Sequence, residues 1–242
     1  MQVNIVLVPD MVQLDATGPF EVMARTPDWN IDLVAASPDP VRTERGLSIL
    51  PTRTRETALP TDLLVVPGGS GIDRAMLDDD WITYVRREAQ RARFVFGICT
   101  GSLLLAASGV LKGHTAGGHW LSRALLAKFG VIPSDERMTI DGKFYTSGGV
   151  TSGIDMALRV VADIAGEETA RKIQLQIEYD PAPPFTGGTP ITSPPEITDA
   201  LRKAARERGA KRELIVAEAA ARLGFGLGSL TGAATSCSRP HA

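Results

Sequence analysis

The chain has 242 residues, 43% of them hydrophobic, which is enough apolar side chain to close one core hiding about three quarters of the unfolded surface. Its 26 basic and 28 acidic residues leave a formal charge of −2, so no strong field draws it to nucleic acid or to an anionic membrane. Its two cysteines, Cys99 and Cys237, cannot build a disulfide framework, and no window nears the roughly eighteen consecutive apolar residues of a membrane span.

In chain order, residues 3–8 read as a buried strand. They meet Asp10 too soon, and lack the basic flank, for a secretion signal, so a cytoplasmic protein is expected. Helix signals follow at 18–24, and further short apolar runs at 31–35, 62–66 and 93–99 read as strands. Between and after them, 81–91, 102–107 and 121–129 carry helical patterning, so strands alternate with helices as in a doubly wound, mostly parallel α/β sheet covered on both faces. Residues 138–149 predict a hairpin turned at Asp141-Gly142, an antiparallel addition to that sheet. Helices are expected at 151–165 and 167–179, then an extended stretch where Pro181, Pro183 and Pro184 forbid helix. Two amphipathic helices, 195–207 and 212–223, close a single domain 1–223, and the Gly, Ser, Thr and Ala of 224–242 predict a mobile tail.

The most informative segment is Gly97-Ile98-Cys99-Thr100-Gly101-Ser102, where a strand runs straight into a helix with a glycine two residues either side of the cysteine. That is the form of a nucleophile elbow, and a cysteine at a helix N-terminus is expected to favour thiolate; the plainer reading is a buried structural cysteine. Val66-Pro67-Gly68-Gly69-Ser70-Gly71 ends another strand, so amides near Gly69 are expected to face the crevice as half of an oxyanion hole, with the Thr100 amide as the other half. The plainer reading is a tight turn. Asp15 either caps the helix that follows it or stands beside Cys99 as an acid, with Glu21 as the rival carboxylate. His119 is a packed core residue or a pocket contact, and no His or Cys pair has metal-ligand spacing.

Leu14-Asp15-Ala16-Thr17-Gly18-Pro19, the Gly68-Gly69 turn, the Cys99 elbow, His119-Trp120, Thr151-Ser152-Gly153-Ile154-Asp155 and Glu178-Tyr179-Asp180-Pro181 together resemble the isonitrile hydratase branch of the PfpI superfamily, over about residues 3–190. The superfamily is glutamine-amidotransferase-like. The resemblance implies a flavodoxin-like fold, a homodimer and no metal or organic cofactor. It also implies Cys99 as nucleophile, Asp15 as acid/base and Thr100 as the adjacent hydroxyl; Gly68, Gly69, Ser70 and His119 are expected to bind the substrate. Thr100 stands where peptidase-like relatives carry His, which counts against proteolysis. Gly117-Gly118 before His119 departs from the Thr or Cys of relatives and predicts a roomier pocket wall.

The expected reaction is hydration of an isonitrile to an N-substituted formamide, Cys99 attacking the terminal carbon and Asp15 moving the protons. Two other readings are open. One is a small-molecule sensor domain of the kind that precedes DNA-binding helices, for which 212–223 has some of the small-residue pattern. The other is thiol-based stress chemistry on glyoxals or peroxide.

Overall fold

The computed structural model describes residues 1–224. The expected tail 224–242, apart from Gly224, and Cys237 lie outside the described residues. The first half of the chain contains β1 (Gln2–Val6), α1 (Gln13–Met23), β2 (Asn30–Ala35), β3 (Val41–Arg42), β4 (Ser48–Ile49), β5 (Arg53–Thr54), β6 (Leu63–Val66), α2 (Ile72–Ala75), α3 (Asp79–Arg91), β7 (Phe94–Ile98) and α4 (Gly101–Ala107). After these come β8 (Thr115–Ala116), a 3-10 helix (Arg123–Phe129), β9 (Ile132–Pro133), β10 (Met138–Asp141), β11 (Phe144–Ser147), α5 (Ser152–Ala165), α6 (Glu167–Gln176) and α7 (Pro195–Arg222).

The central sheet has the order β10-β11-β7-β6-β1-β2-β5, and every neighbour pair is parallel except β10 with β11. Its middle strands show why they read as unbroken apolar runs: every residue of β6 is buried, as parallel strands covered on both faces must be. From β1 the chain crosses to β2 on one side, whereas β6, β7 and β11 step away on the other. Right-handed crossovers therefore send α1 to one face and α3 and α4 to the other. The crevice beyond the carboxyl ends of β1 and β6 is the switch point where such sheets bind ligands. The loop after β1 and the turn after β6 are stitched together there by the Met11–Gly69 bridge and a 2.8 Å hydrogen bond from the Val12 amide to the Gly68 carbonyl. This is the flavodoxin-like, mostly parallel α/β architecture expected from the sequence.

Three local expectations change. The helix after β1 begins at Gln13 rather than at 18, so Gly18 and Pro19 lie inside it; Pro19 leaves the Asp15 carbonyl without its intrahelical donor, a loss the packing of α1 against α5 outweighs. In the hairpin only β10 runs antiparallel, because β11 pairs parallel with β7. Its two loop residues are Gly142 and Lys143, one position later than expected, with Gly142 at φ 59; the Asp141 carboxylate instead accepts the Thr115 amide at 2.7 Å. Finally, 195–222 is one helix of 28 residues, not two. Gly209 costs a helix interior only about 1 kcal/mol, and the flanking i,i+4 pair of Lys211 with Glu207 at 2.8 Å helps carry the helix through. Among the described residues no helix is long and apolar enough to cross a membrane.

Candidate active site

Cys99 sits at the corner between β7 and α4 with φ 58, a left-handed conformation that a side chain rarely adopts, and its amide is held by the Ser147 and Gly148 carbonyls at 3.1 and 3.0 Å. The turn is tight enough that a Cβ at Gly101 would stand 2.0 Å from the Val66 carbonyl oxygen, which only glycine avoids. The strand-to-helix elbow of the sequence therefore has the expected geometry, and it presents a sulfur whose residue is only 5% exposed.

Asp15 projects from the first turn of α1 and is fully buried. It does not cap its own helix. One carboxyl oxygen, Oδ2, accepts the Gly68 amide at 2.9 Å, the other oxygen has no protein donor, and the group faces the Cys99 thiol. Glu21, the rival carboxylate, lies on the surface in an ion pair with Arg25 at 2.7 Å. Thr100 is buried, and its Oγ1 both accepts the Gly69 amide at 2.8 Å and donates to the Gly69 carbonyl at 3.0 Å. The amides of Gly68 and Gly69 are thus engaged by Asp15 and Thr100 and do not point free into the crevice as the oxyanion expectation required. Instead the amides of Thr100 and Val150 approach the Cys99 sulfur.

Protonation follows from this packing. Burial pushes the Asp15 carboxyl up from its ordinary 3.8 to about 7, resisted by the Gly68 amide and the thiol and reinforced by the negative charge of Glu44. Burial also pushes the Cys99 thiol up, as does the neighbouring Asp15, while the two amides and the positive charge of Arg212 oppose the rise. Burial therefore works against the thiolate that the helix N-terminus favours. The helix that begins beside the buried sulfur has only seven residues, so the dipole opposing this loss of water is short. Withholding water thus pushes both members of the pair towards their uncharged forms, the carboxyl to about 7.

Above the elbow opens a cavity of about 840 Å³, onto which Cys99, Thr100, Gly69, Ser70 and His119 all face, whereas Gly68 and Asp15 stand behind that surface. His119 accepts the Leu121 amide at Nδ1, 3.3 Å away, which places its ring proton on Nε2. Burial and the cations Arg212, Arg208 and Arg123 hold its pKa below the usual value, so it is a neutral donor near pH 7. The far wall is α7, a part of the chain from which sequence reasoning drew no site residue. Its buried Arg212 crosses to Asp73, at 2.5 and 3.1 Å, and donates to Ser122 Oγ at 2.9 Å. An arginine at an apolar position of an otherwise charged helix was the signal available for it. Val150 gave no such signal, because it contributes only its backbone. Among the described residues no group of three His, Cys, Asp or Glu side chains converges as a metal site needs.

Residues 1–163 match the model of the DJ-1/PfpI family. Over 223 residues, 92% of this chain and 98% of the other, the sequence is 42% identical to an isonitrile hydratase of Pseudomonas putida. The transcriptional regulator GbdR of Pseudomonas aeruginosa is 31% identical over 137 residues, which are 56% of this chain and 37% of the regulator. A crystal structure of a THiJ/PfpI family protein from Pseudomonas syringae superposes with a TM-score of 0.87 at 35% identity, covering 89% of this chain and 90% of that one. With the elbow, the switch-point crevice and a family match over two thirds of its length, this chain belongs to the DJ-1/PfpI family.

Proposed function

We propose that this protein hydrates isonitriles, R–N≡C, to N-substituted formamides, R–NH–CHO, through Cys99 with Asp15 as its proton carrier. The observation that carries the reading is the buried Asp15 carboxyl facing the Cys99 thiol, in a chain similar along nearly its whole length to the Pseudomonas putida isonitrile hydratase.

Asp15, as carboxylate, takes the thiol proton while the sulfur bonds to the terminal carbon. It then delivers that proton to the same carbon, leaving a thioimidate, R–N=CH–S–Cys99. Water adds to this carbon; Asp15 takes one of its protons and passes it to the imine nitrogen, giving R–NH–CH(OH)–S–Cys99 and leaving Asp15 again as carboxylate. Collapse breaks the C–S bond, the hydroxyl proton returns to sulfur by way of Asp15, and the formamide leaves. The Thr100 and Val150 amides stabilise negative charge on the sulfur as it forms and again as it departs. The Thr100 hydroxyl fixes the turn at Gly69 against the elbow, and the His119 Nε2–H and Ser70 are polar groups available to the bound substrate. Cys99→Ala is expected to lower formamide formation to the uncatalysed background; the parent rate in that variant would end the reading.

The same reading has the protein acting in the cytoplasm as a homodimer on a small molecule, with no nucleic acid or membrane partner. Light scattering on the purified protein is expected to give twice the chain mass. The residues that suggested a DNA-binding helix pair form the second half of the single helix α7, which favours the enzyme over the sensor.

A further inference from the structure

One face of α7 closes the cavity opposite the elbow, and it is strongly basic. Lining residues recur every three or four positions along it, and five of them are cations. Arg202 is engaged by Asp199 at 3.2 Å and lies over the Trp120 ring, 5.8 Å from its centre, while Arg212 is held by Asp73 and Ser122. Lys203, Arg206 and Arg208 line the same cavity and have no partner among the described residues. Two lining carboxylates lack a partner as well: Glu213 on α7, and Glu44, whose charge acts on Asp15 at the elbow side.

The positive charge reaches the cavity floor. Arg208 and Arg212, with Arg123, act on His119, whose remaining ring proton makes it a neutral donor in that field. Three unpaired cations, two unpaired carboxylates, one neutral N–H and a sulfur nucleophile thus share one space, with the cations in excess. A neutral, purely apolar substrate would gain nothing from those cations, whereas a carboxylate on the substrate would be drawn to them. Moreover, α7 lies beyond residues 1–163, so this wall is not built by the segment matched to the family model.

We infer that the preferred substrates are isonitriles whose R group carries a carboxylate, received by Lys203, Arg206 and Arg208 while the isonitrile carbon lies at Cys99. This assignment of R rests on the hydratase reading above; the anion site itself does not. The cations are solvent-exposed, so the attraction is one that salt screens, and it acts on capture more than on the chemical step.

The test compares isocyanoacetate with methyl isocyanoacetate, which share the reacting group and differ in charge, on the full chain at low ionic strength. The carboxylate is expected to show the higher kcat/KM by about ten-fold, a preference that shrinks to near parity in the Lys203→Gln/Arg206→Gln/Arg208→Gln variant and at high salt. Alkylation of Cys99 by iodoacetate and by iodoacetamide, read on the Cys99 peptide by mass spectrometry, needs no turnover. The iodoacetate-to-iodoacetamide rate ratio is expected to fall by about the same factor in the triple variant. If neither isonitrile is hydrated while the alkylation ratio still falls, the hydratase reading fails and the anion site stands. If isonitriles are hydrated without regard to charge and the alkylation ratio is the same in both proteins, the anion site is overturned and the hydratase reading stands.

Discussion

At the scale of single residues, the site depends on a carboxyl that the fold makes uncomfortable as an anion. Below about pH 7 Asp15 is protonated and cannot take the Cys99 proton, so kcat/KM for isonitrile hydration is expected to fall roughly ten-fold per pH unit on the acid side and to level off above. A profile flat from pH 5 to 8 would contradict that role. The same shift has a stability consequence of opposite sense. Between the ordinary 3.8 and about 7, the folded chain keeps a proton that the unfolded chain has released, so stability is lost as pH rises through this window. Asp15→Asn removes the penalty. The variant is expected to lose activity by about a hundred-fold or more, yet to gain up to about 4 kcal/mol of stability at pH 8, with little difference near pH 4. Thermal melts of both proteins at the two pH values check the sign.

At the scale of elements, the elbow and α7 are held by different means. The elbow is over-determined locally, by the Ser147 and Gly148 carbonyls on the Cys99 amide and by the Thr100–Gly69 pair of hydrogen bonds. By contrast α7 crosses the cavity largely on Arg212, whose partner Asp73 is 139 residues away, on Val216, Ala219 and Ala220 buried near its C-terminal end, and on the Arg222 bond to the Leu77 carbonyl at 3.0 Å. Arg212→Met removes a nearly buried guanidinium and strands Asp73, which is expected to cost about 3 kcal/mol. Amide exchange is then expected to speed up along the middle of α7 while β6 and β7 keep their protection. Uniform loss of protection across the chain would show that Arg212 supports the whole fold rather than this helix.

At the scale of the whole molecule, order is concentrated at the sheet centre and declines outward. β1, β6 and β7 are almost wholly buried, whereas residues 181–192 are nearly all exposed and few of their amides are donors in hydrogen bonds. Hydrogen exchange is accordingly expected to be complete within seconds at 181–188 and slowest in β6 and β7. Equal rates in the two regions would refute that gradient. Just before the exposed stretch, Tyr179 Oη donates to Asp155, which also holds Arg137 at 2.6 Å, while Arg137 reaches Thr151 beside Val150.

The strands, the parallel architecture and the Cys99 elbow were legible in the sequence because each is written locally: unbroken apolar runs, alternation with helical periods, and glycines two residues either side of the cysteine. The partnerships were not. Asp15 with Gly68, Thr100 with Gly69 and Arg212 with Asp73 join residues 53, 31 and 139 positions apart, and no spacing rule encodes such a pairing. Nor does sequence carry solvent. The helix N-terminus predicted an ionised sulfur, and only the packed interior, by withholding water from both Cys99 and Asp15, opposes that ionisation and raises the carboxyl to about 7. Residue type thus determined what chemistry is available, and tertiary burial decided which groups are kept from water and which charges line the way in.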